Sequence, residues 1–95
     1  MERADPSEIR VRNGSDVAFT DVIVGRNSYG NIEPGRTTEY QTWQRAYRYS
    51  NFSFMAESKV YNFVPNDYTG EVPLGQGKFT YVLTFGGIEV ERDTK

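Results

Sequence analysis

Asn66, Asp67, Thr69 and Glu71 bring four oxygen-bearing side chains together in one short stretch. Two chemistries use such a set. A carboxylate pair such as Asp67 and Glu71 can serve glycoside hydrolysis, one as acid and the other as base or nucleophile. A hard cation such as Ca²⁺ prefers closely spaced oxygens. The spacing departs from the EF-hand pattern, which wants Asp or Asn at alternate positions, a Gly and a distant Glu. An Asx turn at Asn66 or Asp67 accounts for the same residues more simply. A two-carboxylate hydrolase also needs a deep cleft, which 95 residues rarely build. The expectation is therefore no enzyme, no metal and no cofactor, with a small carboxylate hydrolase as the least favoured reading.

Composition closes other routes. There is no His and no Cys, so zinc sites and His-based triads are excluded. Gly75-Gln76-Gly77-Lys78 lacks the spacing of a phosphate loop and leads into a strand rather than a helix. Asn13-Gly14-Ser15 and Asn51-Phe52-Ser53 match the N-glycosylation pattern, two chance matches that carry no weight. The net charge is -2, from 11 basic and 13 acidic residues. That balance argues against nucleic acid, whose partners usually show a basic stripe.

One constellation remains. Tyr40, Trp43, Tyr47 and Tyr49 lie close together with Arg45 and Arg48 interleaved. Exposed, they would form a platform for stacking on sugar rings or on a partner protein's apolar surface, with Arg adding hydrogen bonds. The competing reading puts Trp43 and at least two of the Tyr in the core, where small sandwiches keep their aromatics.

The elements that must position these residues read as strands. Residues 1–7 are a polar tail. Ile9 and Val11 alternate with Arg10 and Arg12 as a half-buried strand. Asn13-Gly14-Ser15-Asp16 is a turn. Val17 to Val24 follows, close enough to pair with the first strand as a hairpin. Its phase slips between Phe19 and Val22, which a β-bulge near Asp21 would reconcile. Residues 25–31 read as a polar connection. Ile32 and the Pro34-Gly35 turn mark the corner where the chain leaves one sheet for the other. Thr37 to Trp43 is then a strand, with Gln41 and Trp43 on one face and Tyr40 and Thr42 on the other.

Tyr49 to Met55 and Val60 to Val64 form a hairpin, stopped at Pro65. Residues 65–77 are the longest irregular segment. In Lys78 to Phe85, the residues Phe79, Tyr81, Leu83 and Phe85 are expected inside, and Lys78, Thr80 and Thr84 outside. Gly86-Gly87 would close the last hairpin, with Ile88 and Val90 inward and 93–95 as tail. The whole is one domain over 8–92, an all-β immunoglobulin-like sandwich of about seven strands. A transthyretin-like sandwich of eight strands is the alternative.

No apolar run reaches the roughly 20 residues of a membrane span, and no signal-peptide pattern is present. Met1 to Pro6 reads as cut into a longer chain.

Ile9-Arg-Val-Arg-Asn13, Tyr29-Gly-Asn-Ile-Glu-Pro-Gly35, Tyr40-Gln-Thr-Trp43, Ala46-Tyr-Arg-Tyr49 and Asp67-Tyr-Thr-Gly-Glu-Val-Pro-Leu-Gly-Gln-Gly-Lys-Phe-Thr-Tyr81 occur in this order. Together they resemble small single-domain predicted lipoproteins of Bacteroidetes-type bacteria. The resemblance implies export, to the periplasm or the outer membrane, and a lipidated cysteine ahead of Met1 as the only membrane contact. It implies no activity. The favoured reading is thus a non-catalytic cell-envelope domain that binds a protein or glycan through its aromatic and Arg surface. A purely structural accessory module is the alternative.

Overall fold

The computed structural model describes residues 6–44, 46–47, 50–64 and 74–93. Eight strands form two four-stranded sheets. They are β1 (Ser7–Asn13), β2 (Phe19–Val24), β3 (Asn27–Ile32), β4 (Gln41–Trp43), β5 (Phe52–Ala56), β6 (Lys59–Phe63), β7 (Gly77–Thr84) and β8 (Gly87–Arg92). One sheet has the order β4-β1-β7-β8 and the other β3-β2-β5-β6. The class is an all-β sandwich. The strand beyond the expected seven is β3, whose polar sequence hid it.

β1 and β2 are neighbours in sequence but lie in different sheets, so the first hairpin does not form. β1 instead pairs in parallel with β7, with Ile9 opposite Phe79 and Val11 opposite Tyr81. Asn13 makes the departure. It is fully buried, and its Nδ2 donates to the carbonyls of Val17 and Ile32, while its Oδ1 accepts from Ser15 N–H and Ser15 Oγ. A side chain buried this way cannot carry a glycan.

β2 pairs with β3 through register shifts around Asp21, whose φ is 51°, which is the expected bulge. Arg36 N–H donates to Glu33 O across the Pro34-Gly35 turn. The chain then passes from the sheet of β3 to that of β4, as the corner requires.

Alternation builds the core. Ile9, Val11, Phe79, Tyr81 and Leu83 line one sheet, and Phe19, Val22, Val24, Phe52 and Phe54 line the other. Phe19 stacks on Phe54 at 3.8 Å, and Phe52 on Phe63 at 4.5 Å. Aromatic pairs add about 0.5–1.5 kcal/mol beyond their buried area.

Two expectations about β7 fail. Phe85 is 40% exposed, because the last turn is Phe85-Gly86, with Thr84 opposite Gly87. The loop closes one residue early. Gly86 N–H donates to Thr84 Oγ1, and Gly87 takes a φ of 138°, a region open mainly to Gly. The Phe85 ring still meets Phe19, Phe54 and Tyr61 edge-on.

Thr80, expected outside, is buried. It faces outward, as alternation requires, but Arg10, Tyr40 and Asp93 close over it. Thr80 Oγ1 donates to Asp93 at 2.6 Å and accepts from Arg10 Nε at 3.0 Å. Asp93 N–H also donates to Lys78 O.

Candidate functional site

The β2–β3 hairpin turns through Gly25-Arg26, with Val24 opposite Asn27. Gly25 has a φ of 62°, as the first central residue of a II′ turn demands. Its N–H donates to Asn51 O at 2.8 Å, tying the turn to the entry of β5. A Cβ on Gly25 would lie 3.1 Å from Trp43 Cη2. The indole of Trp43 thus rests against the bare backbone of this turn.

Trp43 is held from behind as well. Its Nε1–H donates to Tyr29 Oη at 2.9 Å, and Tyr29 Oη–H donates to Ile9 O at 3.0 Å. The Tyr81 ring meets it edge-on at 5.5 Å, and Tyr81 Oη–H donates to Tyr47 O. Burial pushes the Tyr29 phenol up to about 12, against the opposing hydrogen bonds from Trp43 and Asn27. The phenol therefore stays protonated and remains both donor and acceptor.

Trp43 is nevertheless only half-buried. It lines a cleft of about 660 Å³ together with Gly25, Arg26, Asn27, Thr42, Gln44 and Asn51. The indole N–H is spent inward, so Trp43 offers the cleft apolar ring surface. Around it stand two Asn, a Gln, a Thr hydroxyl and the Arg26 guanidinium, with no carboxylate among the described lining residues.

Of the expected platform's described residues, Tyr40 and Trp43 do not share one surface. Tyr40 sits on the outer face of its sheet, away from Trp43. Its Oη–H donates to Asp93 at 2.8 Å. The Arg10 guanidinium and the Lys78 ammonium lie over its ring at 4.9 and 5.3 Å. Loss of water, the hydrogen bond to Asp93 and the charge of that carboxylate raise the Tyr40 phenol above its ordinary range, with Arg10 opposing. Tyr40 is thus committed to an internal polar knot that also holds the Arg10–Asp93 ion pair at 3.3 Å.

Tyr47 is half-buried beside the fully buried Ala46. Arg45, Arg48 and Tyr49 lie outside the described residues, as do Asn66, Asp67, Thr69 and Glu71 with their calcium and hydrolase readings. Among the described residues no group of His, Cys, Asp and Glu could hold a metal. Nor, among the described residues, is any helix long and apolar enough to cross a membrane.

Sequence reasoning singled out Trp43 and passed over the residues that line the cleft with it. Gly25, Arg26 and Asn27 read as a mere connection, and Asn51 as the inside of a strand. The available signal was a Gly-containing polar turn after an apolar run. Its apposition to Trp43 is tertiary.

The fold and the cleft define a class: a two-sheet all-β sandwich with an aromatic-floored polar cleft at the turn end of β2 and β3. No protein-family model, no curated protein and no solved structure matches the chain.

Proposed function

We propose that this chain is a non-catalytic binding domain that takes a glycan in the cleft at Trp43. The observation that carries this is the composition of the lining: one apolar ring among amide, hydroxyl and guanidinium groups. A sugar has the matching surface. Its C–H face stacks on an indole, and its hydroxyls both donate to and accept from Asn and Gln, which do the same. Arg26 adds a donor fork for a carboxylate-bearing sugar. The non-catalytic reading rests on the composition, which with neither His nor Cys leaves only carboxylate, Lys or Tyr chemistry, and on the deep cleft that a two-carboxylate hydrolase needs and a chain of 95 residues rarely builds. Location on a bacterial cell envelope through a lipid anchor rests on the lipoprotein resemblance. Fatty-acid labelling of the native protein in its host tests it.

A glycan array followed by calorimetric titration tests the binding reading. Gln44→Ala and Asn51→Ala each remove an exposed hydrogen-bonding side chain and should weaken binding about 3- to 10-fold. Trp43→Ala should abolish it. Unchanged affinity in both amide variants, or no glycan bound at millimolar concentration, overturns the reading.

A further inference from the structure

The four sheet edges are not equally protected. β4 is three residues long. β3 is kinked by the register shifts opposite Asp21. β8 carries the exposed Glu89 and Glu91. Such devices keep a sheet edge from recruiting another strand. β6 carries a charge only at its first residue, Lys59, and then reads Val-Tyr-Asn-Phe, followed by Val64. Val60 is 71% and Val64 66% exposed.

The register with β5 says which backbone groups this edge leaves open. The β5–β6 hairpin turns through Glu57 and Ser58, both at positive φ, with Ala56 opposite Lys59. Positive φ at both central residues is the I′ turn of a two-residue hairpin, so Ala56 and Lys59 exchange hydrogen bonds. Bonded and non-bonded pairs then alternate. Tyr61 opposite Phe54 and Phe63 opposite Phe52 are bonded. The N–H and C=O of Val60, Asn62 and, in extension, Val64 therefore point away from β5. No hydrogen bond among the described residues engages them.

We infer that β6 is a self-pairing edge that joins two copies of this chain antiparallel about a two-fold axis at Asn62. In that register Asn62 meets Asn62 of the partner subunit, and Val60 meets Val64 of the partner subunit. All three outward-pointing residues then fall in hydrogen-bonded pairs, giving about six bonds in all. Side chains match too. The exposed valines cover one another on the outer face. Tyr61 and Phe63 continue the inner aromatic row across the axis in the close, non-bonded pairs. Centring on Tyr61 instead sets Lys59 against Phe63 and Val60 against Asn62, and puts Val64 opposite the turn residue Ser58, which leaves about four bonds rather than six and the valines uncovered. This two-fold self-complementarity makes a second copy the occupant, since an isologous contact needs a segment that matches its own reverse. Asn62 at the axis fixes the register. The contact lies at the edge of its sheet opposite β3, so it is independent of the Trp43 cleft.

Sedimentation equilibrium of the chain between about 10 µM and 1 mM, the range of a small interface, tests this. The mass should rise from 10.9 kDa towards twice that value. Val60→Lys/Val64→Lys and Val60→Glu/Val64→Glu should each stay monomeric, because every outer pair then sets like charges together. Their equimolar mixture should regain the dimer, because each Lys then faces a Glu. Both sites are exposed, and circular dichroism confirms the fold of each variant. A wild type that stays at 10.9 kDa at 1 mM overturns the inference. So does a double variant that still dimerises, or a mixture that does not.

Discussion

Asn13 shows how much one buried amide can decide. All four of its side-chain hydrogen bonds run to Ser15, Val17 and Ile32, and no water can replace them at full burial. Asn13→Ala takes the amide donor from the Ile32 carbonyl and the acceptor from the Ser15 N–H, while Val17 O keeps the Ser15 hydroxyl; it should cost about 2–3 kcal/mol, read as a lower midpoint in urea at unchanged slope. Tyr29 governs the alkaline limit. Unfolded, its phenol loses its proton near 10; folded, near 12. Between those values only the unfolded state releases a proton, so stability is fully present below pH 10 and falls as pH rises towards 12. The loss from this residue should reach about 2–3 kcal/mol. Tyr29→Phe should flatten that decline in melts taken from pH 9 to 12. At pH 7 the same variant should be less stable by about 1–3 kcal/mol, because the Trp43 N–H loses its acceptor.

At the scale of elements, the cleft depends on the β2–β3 turn more than on β4. Gly25 combines a φ of 62° with the Trp43 ring 3.1 Å from its missing Cβ. Gly25→Ala meets both penalties. The left-handed backbone alone costs about 1–2 kcal/mol, and the methyl displaces the indole. Reduced stability together with a shifted Trp43 fluorescence maximum is the expected outcome; an unmoved spectrum would mean the turn does not seat the ring. β7 was the most legible element, with Phe79, Tyr81 and Leu83 buried as alternation requires. Its end was not, because Gly86-Gly87 offers two places for a tight turn and the Thr84 hydroxyl selects the earlier one. β3 was illegible for another reason. Asn, Ser, Gly and Asn have low strand propensity, and pairing with β2 overrides it.

Across the whole molecule, the β1–β7 pair joins residues 70 positions apart, as with Ile9 and Phe79. Non-local pairing has to bear the entropy of loop closure before any contact forms. Refolding should therefore take milliseconds to seconds in stopped-flow fluorescence of Trp43, whereas a phase of microseconds would point to a local nucleus. By itself the sequence determined an all-β class, the strand faces through Ile9, Val11, Phe52, Phe54, Phe79, Tyr81 and Leu83, the Asp21 bulge and the Pro34-Gly35 corner. These follow from period-two alternation and turn chemistry, which act over a few residues. It also set Tyr40 and Trp43 on opposite faces by parity. Only the tertiary structure decided that β1 joins β7 rather than β2, that Tyr40 is spent on Asp93, and that Trp43 meets Gly25, Asn27 and Asn51 in one cleft. Those outcomes depend on which sheet each strand enters, and that choice is made by burial summed over the whole core rather than by any local signal.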